Sequence, residues 1–279
     1  MPQIAPRRIQ WTVNVYQDIE AFYRGYRGEK RIIGKSAEGR DLFALLVGTH
    51  TRPVGIATYV MHAREWVTAY LAMQHVRRGL VTGAVWVVPL VNPDGALLVQ
   101  EGARAAKQAE RLCALCGGDF SLWKANARGV DLNVNWDARW GTGVQNVRFP
   151  SPANYIGPAP CSEPETRALR DFTLQVRPDF TLSYHTKGEV IYWHFHQPPL
   201  RKRRDRRLAE VLSRVTGYLP AEARGSAGGY KDWCVEKLKI PAFTVEAGRD
   251  DLSHPLGLCS LPDILQKNLD VLVTLTREF

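Results

Sequence analysis

The stretch that most constrains this chain is residues 54–65. There an apolar, β-branched run, Val54-Gly-Ile-Ala-Thr-Tyr-Val-Met61, stops at His62-Ala-Arg-Glu65, and an amphipathic helix opens directly afterwards. A strand that hands over to a helix in this way belongs to an α/β fold, and the polar residues at the handover lie at the edge of a sheet. An imidazole and a carboxylate held together there are ligands that zinc accepts, and a third ligand from elsewhere would leave one position open for chemistry. The tetrapeptide alone also describes a helix start in which Glu65 merely complements the macrodipole, so the rest of the chain has to decide.

Two more strands end in the same manner. Phe180-Thr-Leu-Ser-Tyr-His185 is β-prone and is followed by Thr-Lys-Gly, while Phe243-Thr-Val-Glu246 gives way to Ala-Gly. Three apolar strands that each stop on a polar residue suggest one parallel-type sheet with the site along its carboxyl edge. The fold class expected is α/β, with a central mixed, largely parallel twisted sheet flanked by helices. Hydrolysis at zinc needs three protein ligands and an unligated carboxylate to take a proton from water. His62, Glu65 and His185 fit the ligands of one Zn²⁺ per chain, and Glu246 fits the base.

The remaining segments alternate without repeat, linker or low-complexity tract, so the expectation is a single domain over residues 1–279. Residues 13–26 read as an amphipathic helix, and 31–34 and 42–48 as strands of a hairpin turning at Glu38-Gly39. Residues 66–78 read as a helix and Ala84–Val88 as a strand, whereas 102–121 read as an irregular, surface-exposed excursion and 140–157 as a long functional loop. Pro164–Val176 reads as a helix capped by Ser162. Residues 190–195 read as a strand, and 204–218, 230–238 and 264–275 as helices.

Composition narrows the class. With 279 residues, 45% of them hydrophobic, the chain can bury a sizeable core. No segment approaches the roughly 18 apolar residues of a membrane span. Residues 1–8 hold no apolar core of signal-peptide length, and there is little room before Gly34-Lys-Ser for a long inhibitory pro-segment, so the expectation is an active cytoplasmic enzyme. Five cysteines is an odd count, and Cys113-Ala-Leu-Cys116 has metal or redox spacing that Cys161 could join, against the alternative of ordinary thiols in a Cys/Gly loop. The run Arg201-Lys-Arg-Arg-Asp-Arg-Arg207 has no interleaved aromatics and reads as a solvated helix start rather than a nucleic-acid arm. The net charge of +9 would instead concentrate acidic peptides, murein stem peptides among them, around a cleft.

With these motifs in order, the sequence resembles the M14-type zinc carboxypeptidases. The resemblance spans Gly34-Lys-Ser-Ala-Glu-Gly-Arg40, His62-Ala-Arg-Glu65, Asn92-Pro-Asp-Gly95, Lys124-Ala-Asn-Ala-Arg-Gly-Val-Asp-Leu-Asn133, Ser162-Glu-Pro-Glu-Thr166, Tyr184-His185 and Phe243-Thr-Val-Glu246. It implies zinc on His62, Glu65 and His185, Glu246 as general base, and Arg64 as a substrate contact. It also points to departures. The Asn-Arg pair that in such enzymes clamps a terminal carboxylate reads Asn133-Val134, and valine cannot supply a guanidinium fork. The oxyanion-side arginine appears as Lys124, and the tyrosine of the substrate loop aligns with Arg224.

Members with Lys-Ala-Asn-x-x-Gly-Val-Asp-Leu-Asn look like bacterial γ-D-glutamyl-diaminopimelate peptidases, in which Lys231 and Asp232 would meet a zwitterionic side chain. The same pair could simply start a helix. A generic carboxypeptidase and a zinc-bound but catalytically weak peptide-binding protein are the alternatives. The retained Glu246 favours catalysis, because a binding module has no need of an unligated base.

Overall fold

One eight-stranded sheet organises the chain in a computed structural model that describes residues 14–279. The readings made on residues 1–8, and the helix start at residue 13, lie outside the described residues. The strands are β1 Lys30–Lys35, β2 Asp41–Gly48, β3 Val54–Tyr59, β4 Ala84–Val88, β5 Phe180–His185, β6 Val190–Tyr192, β7 Leu219–Ala221 and β8 Ala242–Glu246. Their order across the sheet is β1-β2-β4-β3-β5-β8-β6-β7. The centre, β4-β3-β5-β8, is parallel, and β2 and β6 join it antiparallel. The parallel centre is what the three strand ends suggested, and the whole is the mixed, largely parallel sheet expected. Every residue of β4 and β5 is buried, as a sheet covered on both faces requires.

The helices in chain order are α1 Val15–Gly25, α2 Thr68–Arg78, α3 Pro93–Glu101, α4 Ala109–Cys116, α5 Pro164–Val176, α6 Pro199–Thr216, α7 Tyr230–Trp233, α8 Leu261–Asn268 and α9 Val271–Arg277. They split into two layers. Val76 of α2, Leu212 of α6 and Leu272 of α9 pack with Tyr59, Leu182 and Phe243. On the other layer Leu169 and Phe172 of α5 pack with Trp86, Trp136 and Tyr230. Among the described residues no helix is long and apolar enough to cross a membrane.

Several segments differ from their sequence reading. Residues 102–121 lie at the surface as read but are not irregular: a 3₁₀ turn, Gly102–Ala105, leads into α4, and Leu112 and Phe120 are buried with Leu97, Leu98 and Trp123. Ser162 does not cap α5, whose N-cap is Glu163; the Ser162 hydroxyl instead donates to Glu163 Oε1 at 2.9 Å. The strand read over 190–195 stops at Tyr192, because the Gln197 side chain takes over the local backbone, accepting from Phe195 N–H and donating to Trp193 O. The helix read over 230–238 continues past α7 as a π turn, Cys234–Leu238.

The last helix is two, α8 and α9, broken where Asn268 O is drawn off to His75 Nε2 at 2.9 Å. All five cysteines are free, and Cys161 packs in a different core cluster from Cys113 and Cys116, so the three form no common cluster. The arginine run lies on α6, with Arg204, Arg206 and Arg207 paired to Asp205, Glu210 and Glu278.

Candidate active site and metal centre

The parallel register sets the site. β5 pairs with β8 so that His185 lies opposite Glu246, and β3 pairs with β5 so that Tyr59 lies opposite Tyr184. Beyond Tyr59 the chain kinks at Val60, whose φ of 54° is left-handed backbone that a β-branched residue rarely adopts. The kink is held from both sides: Val60 N–H donates to Thr68 Oγ1 at 3.2 Å, and that hydroxyl donates to Glu65 O at 2.9 Å. A 3₁₀ turn, Ala63–Glu65, follows. With three residues per turn it sets positions 62 and 65 one above the other, which is the local reason for the His-x-x-Glu spacing.

The resulting cluster is compact and buried. His62 Nδ1 is 2.9 Å from Glu65 Oε1, His185 Nδ1 is 2.9 Å from Glu65 Oε2, and the two Nδ1 atoms are 3.0 Å apart. Among the described residues this is the one set of three or more such side chains with ligand atoms gathered closely enough to hold a metal ion. Zinc–ligand bonds in a tetrahedral arrangement put ligand atoms about 3.3 Å apart, so the donor set fits zinc with little adjustment. Two imidazole nitrogens facing each other at 3.0 Å also suit a shared cation better than they suit each other.

Asp131 completes the support from behind. It lies 3.3 Å from His62 Nε2, orienting the ring as ligating imidazoles require. Its own oxygens accept from Asn133 N and Asn154 N at 3.0 and 3.1 Å, with Lys124 Nζ at 3.7 Å. Burial works against a charged His62, but Glu65 and Asp131 outweigh it and raise its pKa to about 9 against the opposing Lys124. Asp131 is held well below the usual carboxylate range: His62 and Lys124 overcome the cost of its burial. For Glu246, burial and the nearby Glu65 push the carboxyl up, against His185, His62 and Lys124.

Several of the sequence motifs serve the frame rather than the chemistry. Asn92 caps α3 and ties it to the metal-ligand loop, donating to Met61 O and Ala125 O at 3.3 and 3.1 Å. At Gly95 a Cβ would sit 2.4 Å from Ala125 O and 2.8 Å from Ala63 Cβ, so only glycine permits this approach. Ala63 N and Arg64 N donate to Lys124 O and Trp123 O, both at 3.0 Å. Ser36, Arg40 and Asp94 form one buried knot. A second joins Glu163 and Glu165 to Asn126, and there burial pushes Glu165 up to about 7.

Two cavities open on the site. One, of about 310 Å³, is lined by Glu246 together with Tyr192, Glu222, Arg224, Lys231 and Asp232. The other, of about 260 Å³, is lined by His62, Lys124, Asp131, Val134, Asn154 and part of the loop at 143–146. Asn133, Arg224 and Ser226 border both. Sequence-nominated Asn133, Lys124, Lys231 and Arg224 therefore gather around the cluster, while Arg64 borders neither cavity and buries its Nε without a partner.

Lys231 and Asp232 start α7 and also line the cavity beside Glu246. Asp232 Oδ2 accepts from Gly229 N at 3.1 Å, capping α7, and its Oδ1 lies 2.5 Å from Lys231 Nζ on the cavity wall. Sequence reasoning singled out neither Asp131, which was already inside the Gly-Val-Asp-Leu-Asn motif, nor Glu222. Glu222 reaches the cavity through the pairing of β7 with β6, which no local signal announces.

A buried His/Glu/His set at the carboxyl edge of an α/β sheet, with a further carboxylate in register beside it, defines a metallohydrolase-type centre. The chain belongs to the zinc carboxypeptidase family (Peptidase_M14), whose pattern matches residues 26–255, and zinc is that family's metal. It is 33% identical over 263 residues to a gamma-D-glutamyl-L-diamino acid endopeptidase 1 of Lysinibacillus sphaericus, a match covering 86% of this chain and 65% of that protein. It is 31% identical over 249 residues to carboxypeptidase B of Rattus norvegicus, covering 77% of this chain and 57% of the relative. The chain thus spans less than two thirds of the length of these relatives.

Its fold is that of the bovine thrombin-activatable fibrinolysis inhibitor (TM-score 0.78, 20% identity, 96% of both chains). It is also that of a murein-tripeptide amidase from Escherichia coli O157 (TM-score 0.62, 24% identity, 91% of this chain and 94% of the other).

Proposed function

We propose that this chain hydrolyses the amide bond between γ-D-glutamate and a diamino acid of the diaminopimelate type in murein stem peptides. The observation that carries the reading is the wall of the cavity beside Glu246, which holds Lys231, paired with Asp232, together with Glu222. Diaminopimelate ends in an ammonium and a carboxylate, and a wall carrying both signs matches that pair better than it matches an apolar or singly charged side chain. An ammonium has three donors. Lys231 Nζ spends one on Asp232 Oδ1 and one on His194 O at 3.0 Å, which leaves one for a distal carboxylate. Glu222, held by Lys202 Nζ at 2.8 Å, and Asp232 would then face the distal ammonium. The similarity to a γ-D-glutamyl-L-diamino acid endopeptidase supports the same bond.

For the chemistry, His62, Glu65 and His185 would hold zinc, which supplies a Lewis acid to polarise the scissile carbonyl and acidify a water. Glu246 takes a proton from the attacking water onto its carboxylate and passes it to the amide nitrogen as the C–N bond breaks, leaving a carboxylate and an amine. Its raised pKa suits a group that must first accept and then release a proton. Lys124 lines the cavity beside His62 and would stabilise charge developing on the carbonyl oxygen. Arg64 borders neither cavity and buries its Nε, so it has no direct contact with the substrate in this reading. A protein that only bound peptides would have no use for Glu246 in register with His185.

The test is selectivity in Lys231→Leu. Wild type should prefer L-Ala-γ-D-Glu-meso-diaminopimelate over the L-lysine analogue, which lacks the distal carboxylate. The variant should lose about 1–3 kcal/mol of that preference, the cost of one charged hydrogen bond in a desolvated site. An unchanged ratio in the variant would leave Lys231 as part of the helix start and sink the assignment of the cavity.

A further inference from the structure

We propose that Arg224 anchors the α-carboxylate of the residue on the leaving side of the scissile bond, so that the enzyme releases a terminal residue rather than cutting within a longer chain. The inference rests on the hydrolytic reading above and adds the group that decides where along a peptide the cut falls.

The partition between the two cavities is the starting point. Asn133, Arg224 and Ser226 border both, so they stand where a substrate passing from the His62 side to the Glu246 side must turn. Three basic side chains line these spaces. Lys231 is paired with Asp232, and Lys124 Nζ is 3.7 Å from Asp131. Arg224 makes no hydrogen bond or ion pair with the described residues. It acts only as a more distant charge on Glu222, which Lys202 already holds. Asn133 Oδ1 is occupied by Tyr230 N at 3.4 Å, which leaves the Asn133 amide donors for a ligand in the cavities that it borders together with Arg224. An unpaired guanidinium and free amide donors on the same cavity border form an environment suited to a carboxylate.

The backbone explains why this arginine is in place although its side chain is free. Val144 N donates to Gly225 O at 2.9 Å, and Trp136 N donates to Gly228 O at 2.9 Å. Gly228, at φ +85°, lies so close that a Cβ there would be 2.9 Å from Val134 O. The loop carrying Arg224 is therefore stitched directly against the loop carrying Val134, and a guanidinium from one can serve the space that the valine on the other leaves uncharged.

Charge counting completes the argument. A diaminopimelate residue with a free terminus brings two carboxylates, and Lys231 accounts only for the distal one. The α-carboxylate needs a second cation, and Arg224 is the one bordering the cavity without an anionic partner.

The experiment compares each zinc-loaded protein on L-Ala-γ-D-Glu-meso-diaminopimelate and on the same peptide with its α-carboxylate converted to the primary amide. Wild type should favour the free acid by about 10²-fold in kcat/KM, mostly through KM, as loss of a charge-assisted fork implies. Arg224→Gln should cut the acid-to-amide ratio at least tenfold, and adding Val134→Arg to that variant should restore part of it. The ratio is taken within each variant, so a poorly folded preparation lowers both rates and leaves it unchanged.

A wild type that cleaves acid and amide equally, or an Arg224→Gln variant with the wild-type ratio, overturns the proposal. If diaminopimelate peptides are not turned over at all, the murein reading fails instead. The same acid–amide pair built on a hippuryl dipeptide then still tests Arg224.

Discussion

Glu246 and His185 end neighbouring parallel strands in direct register, and this single pairing places a carboxylate beside the metal cluster without making it a ligand. Replacing Glu246 with glutamine keeps the shape and removes the proton acceptor. With His62, Glu65 and His185 as the proposed ligand set, Glu246→Gln should retain one zinc per chain while losing about 10²-fold or more in kcat, the range expected for a lost proton-transfer group. Metal content by atomic absorption and turnover on the same sample check both halves. Full activity would assign the step to another residue, and loss of zinc would make Glu246 part of the metal site. The cluster and this carboxylate were legible because each is built from polar residues at or just beyond the end of an apolar strand. Asp131 and Glu222 were not, since their roles depend on neighbours far away in sequence, His62 for one and Lys202 for the other.

Elements joined by buried polar contacts carry the pH dependence. His75 on α2 accepts from Tyr59 OH at Nδ1, 2.6 Å away, and donates from Nε2 to Asn268 O at the end of α8. That is the neutral imidazole with both nitrogens used. Burial, only partly offset by Asn268 and Asp270, lowers its pKa to about 4. A histidine depressed in the folded state contributes stability that is complete above its unfolded value near 6.5 and is lost as pH falls towards the folded value. By pH 5 the loss should reach about 2 kcal/mol. Urea unfolding at pH 7 and pH 5 should show His75→Gln losing less stability across that interval than wild type. Equal losses would mean that the contact does not discriminate between the two charge states.

The same contact explains why one helix read over 264–275 is two. The break falls at Asn268, the last residue of α8, whose carbonyl is given to a residue 193 positions away. Local pattern also missed the end of β6, where one glutamine side chain satisfies the backbone that a partner strand would otherwise bond. Segments whose hydrogen bonds stay within a strand ladder, such as β3, β4, β5 and β8, were read almost to the residue.

At the scale of the whole molecule, the parallel centre of the sheet gathers three strand ends from residues 59, 185 and 246 at one edge, and the loops at 124–134 and 222–232 close around them. The cavity beside Glu246 collects charges of both signs, so the zwitterionic diamino acid is the central claim. It is tested most directly by incubating the zinc-loaded wild type with L-Ala-γ-D-Glu-meso-diaminopimelate and, separately, with a hippuryl peptide, and reading products by mass. The prediction is release of meso-diaminopimelate with a kcat/KM well above that for the hippuryl substrate. Faster turnover of the hippuryl peptide, or cleavage of the murein peptide at the Ala–Glu bond, would contradict it.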